Sequence, residues 1–120
     1  MSKRSVLLLM EDILEAADKI ARFTQDLTLD GFKSDEKTSD AVVRNLEIIG
    51  EAVNRIPQEF RSAHSIIEWE KIIGLRHRIV HEYFGIDLLL IWQIVKNDLP
   101  KFHAAFKIIY HDIRVNRDTP

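Results

Sequence analysis

The sequence predicts an all-α protein, an antiparallel up-and-down bundle of four to five helices. Apolar residues recur every three or four positions through each long segment, the period of one helix face. No segment alternates apolar and polar residues as a half-buried strand would. Internal repeats and low-complexity tracts are absent, so residues 1–120 read as one helical domain with a polar tail over about 114–120. A chain of this length buries roughly two-thirds of its unfolded surface around one core.

The first helix is expected over residues 5–27. Leu9, Ile13, Ala16, Ile20, Phe23 and Leu27 step by four and three, and Met10, Leu14, Ala17 and Ala21 form a second stripe beside them. An arc this wide must touch two neighbours, or one neighbour and a second subunit. The short apolar block at residues 6–10 follows Lys3 and Arg4 as in a leader peptide, but Glu11, Asp12 and Glu15 interrupt it, so it reads as mature structure. Asp30–Gly31 signals a turn within residues 28–33.

The second helix should start within residues 34–40 and end at Ile56 before Pro57, with Val42, Leu46, Ile49, Val53 and Ile56 facing the core. Gly50 lies beside that stripe and costs up to about 1 kcal/mol relative to alanine, which points to close approach of a neighbouring helix. Ile48 falls on the polar side and reads as exposed surface. Residues 58–64 form a connector.

Ser65-Ile66-Ile67-Glu68 has the form of a capping box, which sets a third helix starting just before Trp69 and ending near residues 84–85. Asp87 is the N-cap of the last segment. There Leu88, Trp92, Val95, Leu99, Phe102, Phe106, Ile109 and Ile113 hold one register. Pro100 removes a backbone donor and crowds the carbonyl of Lys96, so a kink or break is expected over residues 97–100 without a change of direction.

Composition narrows the function classes. Hydrophobic content of 46% and charged content of 30% are those of a water-soluble protein, and no apolar run approaches the roughly 20 residues of a membrane helix. The absence of cysteine removes disulfide frameworks and thiolate metal sites, and fits a cytoplasmic location. A net charge of -2 argues against a general nucleic-acid coat, whose binding rests on many phosphate contacts. It leaves room for a small basic cleft.

Chemistry concentrates in residues 76–83, where Arg76, His81 and Tyr83 stand in the pattern R-x-x-x-x-H-x-Y. Histidine exchanges a proton near neutral pH, and arginine offers a bidentate donor fork to phosphate oxygens. Together they suit phosphodiester cleavage without a metal. On a helical projection Arg76 falls near the centre of the apolar arc, where a charge is expensive unless paired or opened onto a cleft or an interface. His77 and His81 stand one turn apart, but no third ligand joins them at a metal-site spacing, so no metal and no cofactor is expected. The projection turns Arg76 and His81 about 140° apart. Either the helix is distorted near its end or two copies of the chain build the cleft. Singly, each residue also has a structural explanation: a surface histidine, a solvated Arg78, a core tyrosine.

Two blocks of the sequence, DAVVRNLEIIGEAVNRIP (residues 40–57) and WEKIIGLRHRIVHEYFGID (residues 69–87), resemble the HepT-like branch of the HEPN (higher eukaryotes and prokaryotes nucleotide-binding) superfamily. The resemblance implies a homodimeric helical bundle acting as a metal-independent endoribonuclease on RNA, with Arg76 and His81 catalytic at a composite cleft and His77 and Arg78 supporting them. It further implies the toxin of a type VII-like toxin–antitoxin pair. Its partner would be a minimal, MntA-like nucleotidyltransferase that attaches AMP to Tyr83, blocking RNA entry by bulk and charge. Glu51, within the first block, is a candidate interface or supporting partner for an arginine. The alternative reading is a non-catalytic subunit that binds nucleotide or docks a nucleotidyltransferase. A purely structural dimerisation bundle, with Arg76 as an interface ion pair, is the third.

Overall fold

Among the described residues four long helical runs are joined by two short helices, and the apolar stripes of the sequence dictate how they pack. The computed structural model describes the backbone of residues 3–80 and 87–118 and the side chains of residues 5–75 and 87–115. Helix α1 spans Lys3–Thr24, and its two adjoining stripes bury Leu9, Met10, Ile13, Ala16, Ala17 and Ile20. The wide arc serves two neighbours, since α1 packs against both α3 and α7. Phe23, expected in the core, is 39% exposed, and Thr24 is buried in its place. A threonine can take that position because its hydroxyl donates to the Ile20 carbonyl at 2.8 Å.

The expected turn at residues 28–33 is instead a six-residue helix, α2 (Leu29–Ser34). Thr28 caps it by accepting from the Gly31 N–H at 3.1 Å, and the fully buried Phe32 meets Trp92 at 5.2 Å. Helix α3 (Glu36–Arg55) starts on Asp35, whose carboxylate accepts from the Thr38 hydroxyl at 2.6 Å and the Thr38 N–H at 3.1 Å. Val42, Leu46, Ile49, Val53 and Ile56 are buried as expected, and so is Gly50. Ile48 departs from expectation. It is half-buried against the core, because α3 is packed by α1 and α5 and its apolar arc is correspondingly wide.

The connector after Pro57 is also helical, α4 (Gln58–Ala63). Helix α5 (Trp69–Val80) begins where expected, but Ser65 lies in a turn and Glu68 reaches forward to Lys71 at 3.1 Å, so the capping box does not form. Asp87 caps α6 (Leu88–Gln93), its carboxylate accepting from the Leu90 N–H at 3.1 Å. A π-helical turn over Ile94–Asp98 follows, then α7 (Leu99–Asp118). Pro100 therefore does not break the run. The wider turn, in which the Leu99 N–H donates to the Ile94 carbonyl five residues back, absorbs the donor and the space that proline denies the ladder.

Val95, Leu99, Phe102, Phe106 and Ile109 are buried on both sides of this adjustment. Helix α7 also continues through residues 114–118, where a frayed tail was expected. Arg114 donates to the Tyr110 hydroxyl at 3.2 Å, and that hydroxyl donates to Glu11 at 2.9 Å. Glu11 meets Tyr110 while Thr24 meets Lys96, so α1 and the last run are antiparallel. No described helix is long and apolar enough to cross a membrane.

Candidate active-site helix

Helix α5 carries the start of the sequence motif, from Arg76 to Val80, and its first turn is fixed by aromatic packing. The Trp69 indole donates to the His64 carbonyl at 3.0 Å. Its ring meets Phe106 of α7 edge-on at 6.0 Å and Phe60 of α4 at 6.4 Å. Trp69, Ile72 and Leu75 then bury one stripe of the helix. This stripe packs along α3 and faces the last helical run, which it touches through Trp69 and Phe106. The anchor bears on the candidate residues because the α5 backbone continues without interruption through Arg76, His77 and Arg78 to Val80. A residue on a rigid helix is held more closely than one on a loop, which is what general acid–base chemistry requires.

The side chains of Arg76, His77 and Arg78, and the whole of His81 and Tyr83, lie outside the described residues. The separation of Arg76 from His81 and the placement of Tyr83 therefore stand as expectations from the sequence. Glu51 is described. It is exposed on α3, which packs along α5, and it makes no ion pair with another described residue. Among the described residues no three histidine, aspartate or glutamate side chains are grouped as a metal site would need.

Beside α5 the structure shows a feature that the sequence did not signal. A hollow of about 240 Å³ opens between α5, the π turn and the first half of α7. Ile72 and Leu75 wall it on one side and Ile94 and Phe102 on the other, with Lys71, Asp98 and Lys101 also lining it. Its two walls are separated by some twenty residues of chain and come together only in the fold, so no short motif marks it. Lys71 is held by Glu68 at 3.1 Å, with both side chains about two-thirds exposed (65% and 71%), which makes the pair weak and exchangeable.

Residues 13–109 match the family model described as Ribonuclease HepT-like. A protein of Methanocaldococcus jannaschii named "Putative RNase" is 42% identical over 109 residues, covering 91% of this chain and all of that protein. A "Probable ribonuclease HepT" of Thermococcus cleftensis is 41% identical over 105 residues, covering 88% of this chain and 96% of its own. A further "Putative RNase", from Caldanaerobacter subterraneus, is 36% identical over 100 residues, covering 83% and 89% of the two chains. No solved structure gives a significant match.

Proposed function

Since the chain belongs to the HepT-like ribonuclease family, we propose that it is an endoribonuclease that cuts RNA without a divalent metal, with Arg76 and His81 at the reacting phosphate. The observation that carries this reading is the R-x-x-x-x-H-x-Y pattern on and beyond the anchored α5 helix, in a chain that aligns with the three relatives named above over 100%, 96% and 89% of their lengths. The imidazole of His81 takes the proton of a ribose 2′-hydroxyl as its oxygen attacks the adjacent phosphorus. The Arg76 guanidinium neutralises charge building on the non-bridging oxygens. The 2′-oxygen–phosphorus bond forms, the bond to the 5′-oxygen breaks, and a second acid returns a proton to that leaving oxygen. The products are a 2′,3′-cyclic phosphate and a 5′-hydroxyl.

One chain supplies one such histidine, so base and acid together call for two copies in a symmetric dimer. His77 and Arg78 add donors beside the pair, and Glu51, exposed on the neighbouring helix, is suited to orient an arginine across the interface. The same family reading makes the protein the toxin of a two-component pair. A minimal nucleotidyltransferase would silence it by transferring AMP to the Tyr83 phenol, placing phosphate charge and bulk at the cleft.

The test is cleavage of single-stranded RNA by the purified protein in excess chelator. Cutting with a cyclic-phosphate end, lost in His81→Ala with the helical spectrum intact, is the expected result. Cleavage retained in His81→Ala overturns the assignment. Pre-incubation with the partner enzyme, ATP and magnesium, before chelator and RNA are added, should silence the native protein and leave Tyr83→Phe active. Silencing of Tyr83→Phe would remove that tyrosine as the control point.

A further inference from the structure

We infer that the hollow between α5 and the π turn is a base-binding subsite for single-stranded RNA, next to the scissile phosphate. This deepens the ribonuclease reading and rests on it. At about 240 Å³ the hollow is smaller than the roughly 300–1,000 Å³ of sites for drug-sized ligands. It suits one flat ring. Ile67, Ile72 and Ile94 give it apolar faces. Phe102 supplies an aromatic wall, its ring fixed by stacking on Phe106 at 5.1 Å and 24°. An unstacked base enters such a pocket, whereas a base held inside a duplex cannot.

The polar residues complete the match. Asp98 is exposed on the π turn and offers carboxylate oxygens to the amino or imino N–H of a base edge. Lys101 and Lys71, from opposite walls, offer ammonium groups to the strand's phosphates, and the weak Glu68 pair leaves Lys71 free to exchange. Position supplies the last argument. Ile72 and Leu75 line the hollow on the same helix as Arg76, and Ile72 precedes Arg76 by four residues, one helical turn or about 6 Å of axial rise. Arg78 follows Lys71 by seven residues, two turns further along. A strand whose phosphate is attacked at Arg76 and His81 has a neighbouring nucleotide within reach of the hollow. The pocket thus contributes binding and base preference to a reaction carried out by other residues.

The experiment separates binding from cutting. Fluorescence anisotropy of an end-labelled single-stranded RNA is read in chelator, on protein carrying His81→Ala. Ala105 lines the hollow and is half-buried, so Ala105→Leu fills the space without removing a core side chain. The expected result is about tenfold or greater weakening, the scale of one lost base–aromatic contact. In protein that keeps His81, Asp98→Ala should shift the base found next to the cut sites.

Binding by Ala105→Leu within about twofold of its parent, with an unchanged cut pattern in Asp98→Ala, overturns the subsite. So does weakening by Lys101→Ala with none by Ala105→Leu, which would mean charge alone. Should Ala105→Leu lose its helical spectrum, the Asp98→Ala pattern decides, since Asp98 is exposed. If the native protein cuts no RNA while Ala105→Leu still weakens binding, the ribonuclease reading fails, and with it the place beside a scissile phosphate, while base binding in the hollow stands.

Discussion

His103 of α7 lines a second hollow, between α7 and α1, and its Nε2 is shut off from water with no hydrogen-bond partner among the described residues. Burial pushes its pKa below the ordinary value of 6.5, the Lys107 ammonium pushes the same way, and Asp18 opposes them weakly. The folded state therefore disfavours the imidazolium. Above 6.5 the ring is neutral in both folded and unfolded chains and contributes nothing to the pH dependence. As pH falls from 6.5 through the lowered folded value, the unfolded chain binds more protons, and stability declines. His103→Leu is expected to flatten that decline, read as urea midpoints at pH values on either side of 6.5. Equal slopes in the two proteins would show that the ring is not the source. Single residues are also where the sequence misled. Phe23 continues the apolar phase of α1 yet stands in solvent, because the next position, Thr24, bonds back to its own helix and enters the core. Periodicity carries no information on such a local exchange.

At the scale of elements, long stripes were legible and short helices were not. The last run keeps its register from Leu88 to Ile113 through a proline, and that register was readable because a π turn adjusts the backbone while the buried face persists. Helices of six residues such as α2 and α4 carry too few positions to show a period. Tertiary packing makes them: Phe32 under Trp92, and Phe60 against His64 and Trp69. The motif on α5 was legible as spacing, whereas the hollow beside it comes from segments brought together by the fold alone. The π turn also ties distant elements. It presents Lys96 so that its ammonium donates to the Thr24 carbonyl at 3.0 Å, closing the end of α1, and lies 4.7 Å from the centre of the Trp92 ring. A cation at a helix C-terminus and over an indole is favourable on both counts. Lys96→Met keeps the alkyl stem and removes both contacts. It should lower stability by about 1 kcal/mol, seen as a lower urea midpoint at unchanged slope. An unchanged midpoint would mean that solvent replaces the ammonium at no cost.

For the whole molecule the central question is whether one chain holds a complete active site. The bundle anchors α5 through Trp69, yet a helical projection of the sequence turns Arg76 and His81 about 140° apart, too far to serve one exposed face of a single copy. One chain also brings a single motif histidine, where attack and leaving-group protonation need a base and an acid. Both shortages end if a cleft is shared by two copies about a twofold axis. Mixing separates the cases. Native protein and His81→Ala, unfolded together and refolded at constant total concentration, form native, mixed and mutant dimers. If the cleft needs both histidines, only native dimers cut, and activity follows the square of the native fraction. An equal mixture then retains about a quarter of the starting rate, against about a half if each copy works alone. The proposal of a shared cleft predicts the squared curve, measured as initial rates of RNA cleavage across the mixing series. A straight line would assign the whole reaction to one chain, and would require α5 to distort beyond Val80 so that Arg76 and His81 reach the same phosphate.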